Sequence, residues 1–325
     1  MHVHAGYIEE ATLFLANGVT LIRNMWGNPQ HLQMKKKIQN RQIPGPELFT
    51  TGPLIDGRGA YWPGSFIITD PNKVAGAITK MKQDGYDAIK VYDRLLPEVY
   101  DEIIKTAKNL DIPVVGHVPF SVGLKHVIDS GQYSIEHFTG YNTKSKDIID
   151  LTVQSGVWNC PTLIVMKKYS NVQLLKTKEI PELKYVHPDL LRSWKQAYNY
   201  YMNFVGSKRF LKTLYDEGAN IVSGTDVGNP YVIAGFSLHE EFQYMNDAGL
   251  TPYQILLTTT VNPAKMLGIE DRVGTIEIGK DADLVLLAKN PLLDIKNTKM
   301  ISGVMTKGVW LSEEQLKGML DKIAR

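Results

Sequence analysis

The chain of 325 residues is longer than one average domain and fits one large α/β barrel of about 250 residues plus a small appendage. Its 43% apolar and 22% charged residues supply ample core material, and 36 Lys+Arg against 34 Asp+Glu leave a net charge of +2, too weak a field to gather nucleic acid or an anionic membrane. The single cysteine, Cys160, excludes an intrachain disulfide and any multi-cysteine zinc site, which fits a reducing, cytoplasmic address, and the apolar runs are too short to span a bilayer.

In chain order, the stub at residues 2–4 and the apolar runs at 19–23, 46–55, 88–92, 113–117, 133–137, 157–163 and 220–226 read as eight strands. Helix-length amphipathic stretches at 8–16, 31–39, 73–83, 97–108, 122–129, 146–154 and 204–217 separate them. The strand runs are continuous rather than alternating, as expected of parallel strands buried on both faces. The unbroken β-α order therefore predicts the α/β class and a closed (β/α)8 TIM barrel over residues 1–268. Residues 167–201, helical from 189 onward, read as an insertion that walls or covers the barrel mouth. Helices at 237–248, 251–258 and 263–267 follow. In residues 269–325 the period then changes: 273–278 alternates, 279–281 is a turn and 282–287 resumes, which reads as a hairpin, with a second at 301–310. This is a small β appendage.

In such a barrel the C-terminal strand ends converge on one mouth, so polar residues there are site candidates whatever their separation along the chain. His2, His4, Lys90, His117, His137 and Asp226 occupy those ends. Residues i and i+2 of a strand face the same way, so His2 and His4 can clasp one cation together, although such a pair also arises by coincidence. His117 and His137 each close an apolar strand, where backbone partners could equally satisfy them. Lys90 sits inside the apolar "AIKVY" run, where a buried ammonium needs a partner. A salt bridge to Asp93 or Glu136 is one answer. Conversion to a carbamate by carbon dioxide, bridging two divalent metals, is the other. Asp226, in "GTD", could touch a metal and exchange protons, or simply cap a turn. His239 is either a proton-handling or substrate-anchoring neighbour of Asp226 or an exposed helix residue. The loop carrying Arg58 and Tyr61, with Tyr92, Arg94 and Tyr231, offers substrate contacts, and its arginines and tyrosines would suit a carboxylate.

The ordered set "HVH", "IKVY", "GHV", "IEH" and "GTD", followed by "LTTTVNPAKMLGI" and "GTIEIGKDADLVLL", resembles the amidohydrolase superfamily over almost the whole chain, in particular its imidazolonepropionase-like and prolidase-like branch. The resemblance implies that His2, His4 and Asp226 bind one metal, that His117 and His137 bind a second, and that carboxylated Lys90 bridges them. It also implies that residues 269–325 form part of a β-sandwich. In that family several strands precede the His-x-His motif and contribute to the sandwich. The sandwich is accordingly expected to be incomplete, and the first strand to be a stub with lowered stability and metal content.

The expected function is hydrolysis of an amide C–N bond in a small molecule, a dipeptide, N-acyl amino acid or cyclic amide, possessing a carboxylate in the first two cases. The expected cofactors are two divalent ions, zinc first, with carbon dioxide as the carbamate on Lys90. No nucleic acid or membrane partner is expected, and self-association into a homo-oligomer is left open. The alternatives are a non-catalytic scaffold on the same fold, or a mononuclear deaminase or phosphoesterase.

Overall fold

The computed structural model describes residues 1–143, 145–175 and 179–325. Among the described residues eleven strands are formed: β1 (Leu21–Asn24), β2 (Glu47–Thr50), β3 (Ile55–Asp56), β4 (Phe66–Ile67), β5 (Ile89–Val91), β6 (Val114–Gly116), β7 (Ser134–Glu136), β8 (Trp158–Cys160), β9 (Leu284–Leu287), β10 (Ile301–Thr306) and β11 (Val309–Ser312). The helices are α1 (Glu10–Ala16), α2 (Pro29–Gln39), α3 (Val74–Asp84), α4 (Pro97–Asn109), α5 (Leu124–Asp129), α6 (Lys146–Ser155), α7 (Leu163–Tyr169), α8 (Pro188–Lys195), α9 (Phe204–Asp216), α10 (Phe236–Asp247), α11 (Pro252–Thr259), α12 (Val261–Leu267) and α13 (Glu313–Asp321).

The barrel is a ring of parallel pairings. β1 pairs with β2, Thr51 bridges to Ala88 just before β5, and β5, β6, β7 and β8 pair in sequence. Asn159 of β8 then bridges to Ile221, and Val3 bridges to both Val227 and Asn24, which closes the circle with residues 221–227 as its last stave. The stub around Val3 is thus held on both sides: Val3 N–H donates to the Arg23 carbonyl at 3.1 Å and His4 N–H to the Val227 carbonyl at 2.8 Å. The staves are short and apolar, and Ile22, Ile55, Ile89, Val91, Val115, Ile135 and Val222 are all almost fully buried against the surrounding helices. Closure also demands close approach. A Cβ on Gly224 would stand 2.4 Å from Cys160 Sγ and 2.9 Å from His2 Cβ, so only glycine lets the last stave lie beside the first.

Three elements differ from the sequence reading. The run at 46–55 is not one strand: Thr51-Gly52-Pro53 interrupts it, with proline unable to donate to a ladder, and β3 instead pairs with β4 and β5. Residues 220–226 contribute single bridges rather than a continuous ladder. The alternating segment 273–278 forms no strand. Ile276 and Ile278 are 87% and 107% exposed, and the segment is held as turns by Arg272 to Asp281 and Thr275 to Glu277 contacts. The first expected hairpin is therefore absent, and β9 pairs antiparallel with β10, which pairs with β11. Within 167–201 the structure places the end of α7, short 3-10 turns and α8, packed around Val172, Val186 and Trp194.

The appendage is joined to the barrel through α10, whose His239 is buried and bonds Thr298 Oγ1 through Nδ1 at 3.0 Å. Thr298 spends its own hydroxyl proton on the Ile295 carbonyl, so His239 must carry its proton on Nδ1, and Nε2 is buried without a partner. Burial, with a smaller contribution from Lys299, lowers the imidazole from 6.5 to about 4. A depressed imidazole favours the neutral form in the folded state, so its contribution is complete above about pH 6.5 and is lost as pH falls towards 4. His239→Gln, which keeps a polar partner for Thr298, should remove about 2 kcal/mol of the loss in unfolding free energy between pH 8 and pH 5. Chemical denaturation at the two pH values measures this, and parallel losses in both proteins would contradict it.

Candidate metal centre

His2, His4 and Asp226 meet where the barrel closes, because the two bridges of Val3 fix the histidines on either side of it. His2 accepts, through its carbonyl, the N–H groups of Thr225 and Asp226 at 3.1 and 2.8 Å, which sets the carboxylate beside the rings. Asp226 Oδ1 lies 3.1 Å from His2 Nε2 and 2.9 Å from His4 Nε2, and the two Nε2 atoms are 3.3 Å apart. His137 Nε2 is 3.9 Å from Asp226 Oδ2. The ring of His137 sits 4.5 Å from that of His2 and 5.1 Å from that of His117. Four imidazoles and one carboxylate therefore form one contiguous cluster at the strand ends.

The outer nitrogens of three rings are tied down. His2 Nδ1 bonds Glu136 Oε2 at 2.7 Å, His117 Nδ1 bonds Asp93 Oδ1 at 2.8 Å, and His137 Nδ1 bonds Thr162 Oγ1 at 2.6 Å. Glu136 is fully buried and held by Arg23 Nη2, at 2.8 and 3.0 Å from its two oxygens, and by Ser134 Oγ. Burial alone would raise the Glu136 carboxyl, but the Arg23 guanidinium and the hydrogen bond from His2 hold it well below the usual carboxylate range. As an ionised acceptor it fixes the His2 proton on Nδ1 and leaves the Nε2 lone pair facing Asp226. Asp226 Oδ1, though close to two imidazole nitrogens, is aligned for a hydrogen bond with neither. Burial would raise this carboxyl too, and His137 and His2 outweigh it and hold it well below the usual range.

Lys90 is 1% exposed and its Nζ has no hydrogen-bond partner. The salt bridge to Asp93 or Glu136 weighed from sequence is not formed, since Asp93 is engaged with His117 and Glu136 with Arg23 and His2. Burial lowers the ammonium from 10.5 to about 8 against the pull of Glu136 and Asp226. A Cβ on the neighbouring Gly116, at φ 134°, would stand 2.3 Å from the Val91 carbonyl and 3.1 Å from Lys90 Cδ. Glycine is what allows β6 to lie against the lysine stem.

These residues fit divalent cations: nitrogen lone pairs and carboxylate oxygens converge, a carboxylate oxygen among them lacks a hydrogen bond, and the outer faces of the rings are braced by acceptors. Strain marks the same places, with His137 and Asp226 both at positive φ, 58° and 61°.

The remaining candidates separate. Tyr92 lies at the cluster, its ring 4.0 Å from that of His117, and accepts a bond from Trp62 Nε1 at 2.8 Å. Tyr61 stacks edge-on to Trp62 at 5.1 Å. Arg58 and Arg94 are exposed, and the Arg94 side chain runs along Gly59. Tyr231 is buried against Trp194 in the small core of the insertion. His239 bonds Thr298 in the seam with the appendage, with no bond or ion pair to Asp226, because its position on α10 turns it towards the 3-10 turn at Ile295–Lys299. Sequence reasoning missed Arg23 and Thr162 as supports, and weighed Asp93 and Glu136 only as counterions for Lys90. The place of Glu136 directly before His137 in "IEH" was the available signal, since alternation along β7 turns it into the barrel.

Among the described residues, no helix is long and apolar enough to cross a membrane. Residues 9–311 match the family model described as Amidohydrolase family. Ochratoxinase of Aspergillus niger is 22% identical over 328 residues, covering 87% of this chain and 62% of its own length, so the chain spans about three fifths of that relative. Imidazolonepropionase of Thermoplasma volcanium is 31% identical over 80 residues, 23% of this chain and 19% of its own. Among solved structures, a bottromycin amidohydrolase superposes with a TM-score of 0.84 at 26% identity, covering 99% of this chain and 78% of its own. A Xaa-Pro dipeptidase with bound methionine does so with 0.77 at 22% identity, covering 96% and 85%. The match over nearly the full length, on a closed parallel barrel with its histidines gathered at the strand ends, establishes that the chain belongs to the amidohydrolase family.

Proposed function

We propose that the protein is a metal-dependent hydrolase that cleaves an amide C–N bond in a small molecule, a dipeptide, an N-acyl amino acid or a cyclic amide. The observation that carries this reading is the convergence of His2, His4, His117, His137 and Asp226 around a buried Lys90 whose Nζ has no partner. Similarity to an amidohydrolase, a dipeptidase and an ochratoxinase supports the reaction class.

His2, His4 and Asp226 would hold one cation and His117 and His137 a second. Divalent ions, zinc foremost, supply an acidified water and a polarised carbonyl at such a site. Glu136, Asp93 and Thr162 keep the imidazoles turned inward. Asp226 takes the proton given up as water attacks the amide carbon and delivers it to the departing nitrogen when the C–N bond breaks. Lys90, as the free amine, would attack carbon dioxide; an N–C bond would form, one proton would leave to solvent, and the anionic carbamate would offer oxygens to the cations in place of a buried ammonium. Lys90 thus turns from a like charge into a ligand.

Lys90→Ala should lower bound zinc from about two ions per chain to fewer than one, measured by elemental analysis of dialysed protein, with circular dichroism confirming an intact fold. Unchanged metal content would overturn the bridging role. Glu136→Gln, which keeps an oxygen for His2 Nδ1–H but removes the charge, should weaken zinc binding about 10- to 100-fold in chelator competition. Equal affinity in the two proteins would remove Glu136 from the support of the centre.

A further inference from the structure

We infer that the group recognised beside the scissile amide is an aromatic ring, seated among Trp26, Trp62, Tyr61, Tyr92 and Tyr169; this rests on the amide-hydrolase reading and names its substrate class. Four of the rings, Trp26, Trp62, Tyr61 and Tyr92, form a continuous wall joining the two halves of the cluster. Trp26 stands edge-on to His4 at 6.1 Å, Trp62 follows at 6.2 Å, and Tyr61 lies against Trp62 at 5.1 Å. The Trp62 indole N–H donates to Tyr92 Oη at 2.8 Å, and Tyr92 packs on His117 at 4.0 Å. Tyr169 Oη donates to Asn229 Oδ1 at 2.9 Å, and Asn229 Nδ2 donates at 3.0 Å to the carbonyl of Asp226. The wall of four rings is thus anchored to His4 and His117, and Tyr169 is anchored through Asn229 to Asp226.

Trp26, Tyr61, Trp62 and Tyr92 stand outside the core, while Tyr169 also packs on it. Tyr61 is 66% exposed, and Trp26, Trp62, Tyr92 and Tyr169 are half-buried. Trp62 and Tyr92 are bonded to each other and Tyr169 to Asn229, which fixes those three faces rather than leaving them to collapse. Of the charged residues on this side, Arg58 and Arg94 are exposed. Asp56 Oδ1 accepts the N–H groups of Gly57 and Arg94 while its Oδ2 is buried without a partner, and Asp93 holds His117. Rings offered edge and face at 5–6 Å spacing accept another ring by offset or edge-on packing, a preference beyond the area buried.

The test compares N-acetyl-L-phenylalaninamide with N-acetyl-L-leucinamide, two amides of similar polarity, on the whole protein by quenching of tryptophan fluorescence and by hydrolysis after zinc loading. The phenylalaninamide should bind about tenfold more tightly, and Trp62→Leu should bring the ratio close to one. Trp26→Leu, which leaves the Trp62 to Tyr92 bond intact, should reduce the ratio as well and guards against a local collapse in the first variant. Equal affinity for the two amides, or a ratio unchanged in both variants, overturns the inference. Hydrolysis of both amides with equal efficiency would overturn it while leaving the hydrolase reading in place. Ring-selective binding with no zinc uptake and no hydrolysis would sustain it and defeat that reading instead.

Discussion

Closure of the barrel through Val3 is the constraint on which the rest depends. A single residue bridges Asn24 on one side and Val227 on the other, so the side chains flanking it, His2 and His4, have no freedom to leave the mouth. The same closure puts the His2 carbonyl on the Asp226 N–H and forces Gly224 against Cys160, leaving no room for a side chain between the first and last staves. Ring closure in the sheet and assembly of the polar cluster are one event.

Beneath that cluster runs a layer of charge that the apolar staves would not by themselves tolerate. Arg23 and Glu136 are both fully buried, and removal of either partner would strand the other at a cost of about 3–5 kcal/mol. Their pairing also sets the tautomer of His2, so a buried ion pair that adds little net stability has a directional role. Lys90 has no such answer within the chain. Its stem is enclosed by β6 through Gly116, and its amine faces imidazoles and a carboxylate that is itself without an aligned hydrogen bond. An anion on that nitrogen and cations among those rings resolve both unmet demands together.

Much of this was legible in the residues because a TIM barrel turns strand ends into neighbours. His117, His137 and Lys90 each interrupt an apolar run, and the interruption is visible without coordinates. Arg23, Thr162 and, as a partner of His117, Asp93 were not legible, since they act through hydrogen bonds to partners distant in sequence and sit in segments where a polar residue is unremarkable. His239 was misplaced because helical spacing tells which residues share a face but not which neighbour that face meets; here it meets Thr298. The alternation at 273–278 was real, yet a strand needs a ladder partner, and the described chain gives that segment none. Trp26 and Trp62 lie singly in loops, with no period to announce them, and only the packing of loop on loop makes them one surface.

The account stands or falls on whether Lys90 and the histidines share two cations. Anomalous diffraction at the zinc edge from crystals of zinc-loaded protein grown with bicarbonate measures this most directly. The account predicts two peaks, one beside His2, His4 and Asp226 and one beside His117 and His137, with carboxylate density extending from Lys90 Nζ between them. A bare ammonium at Lys90 with one peak or none would contradict it.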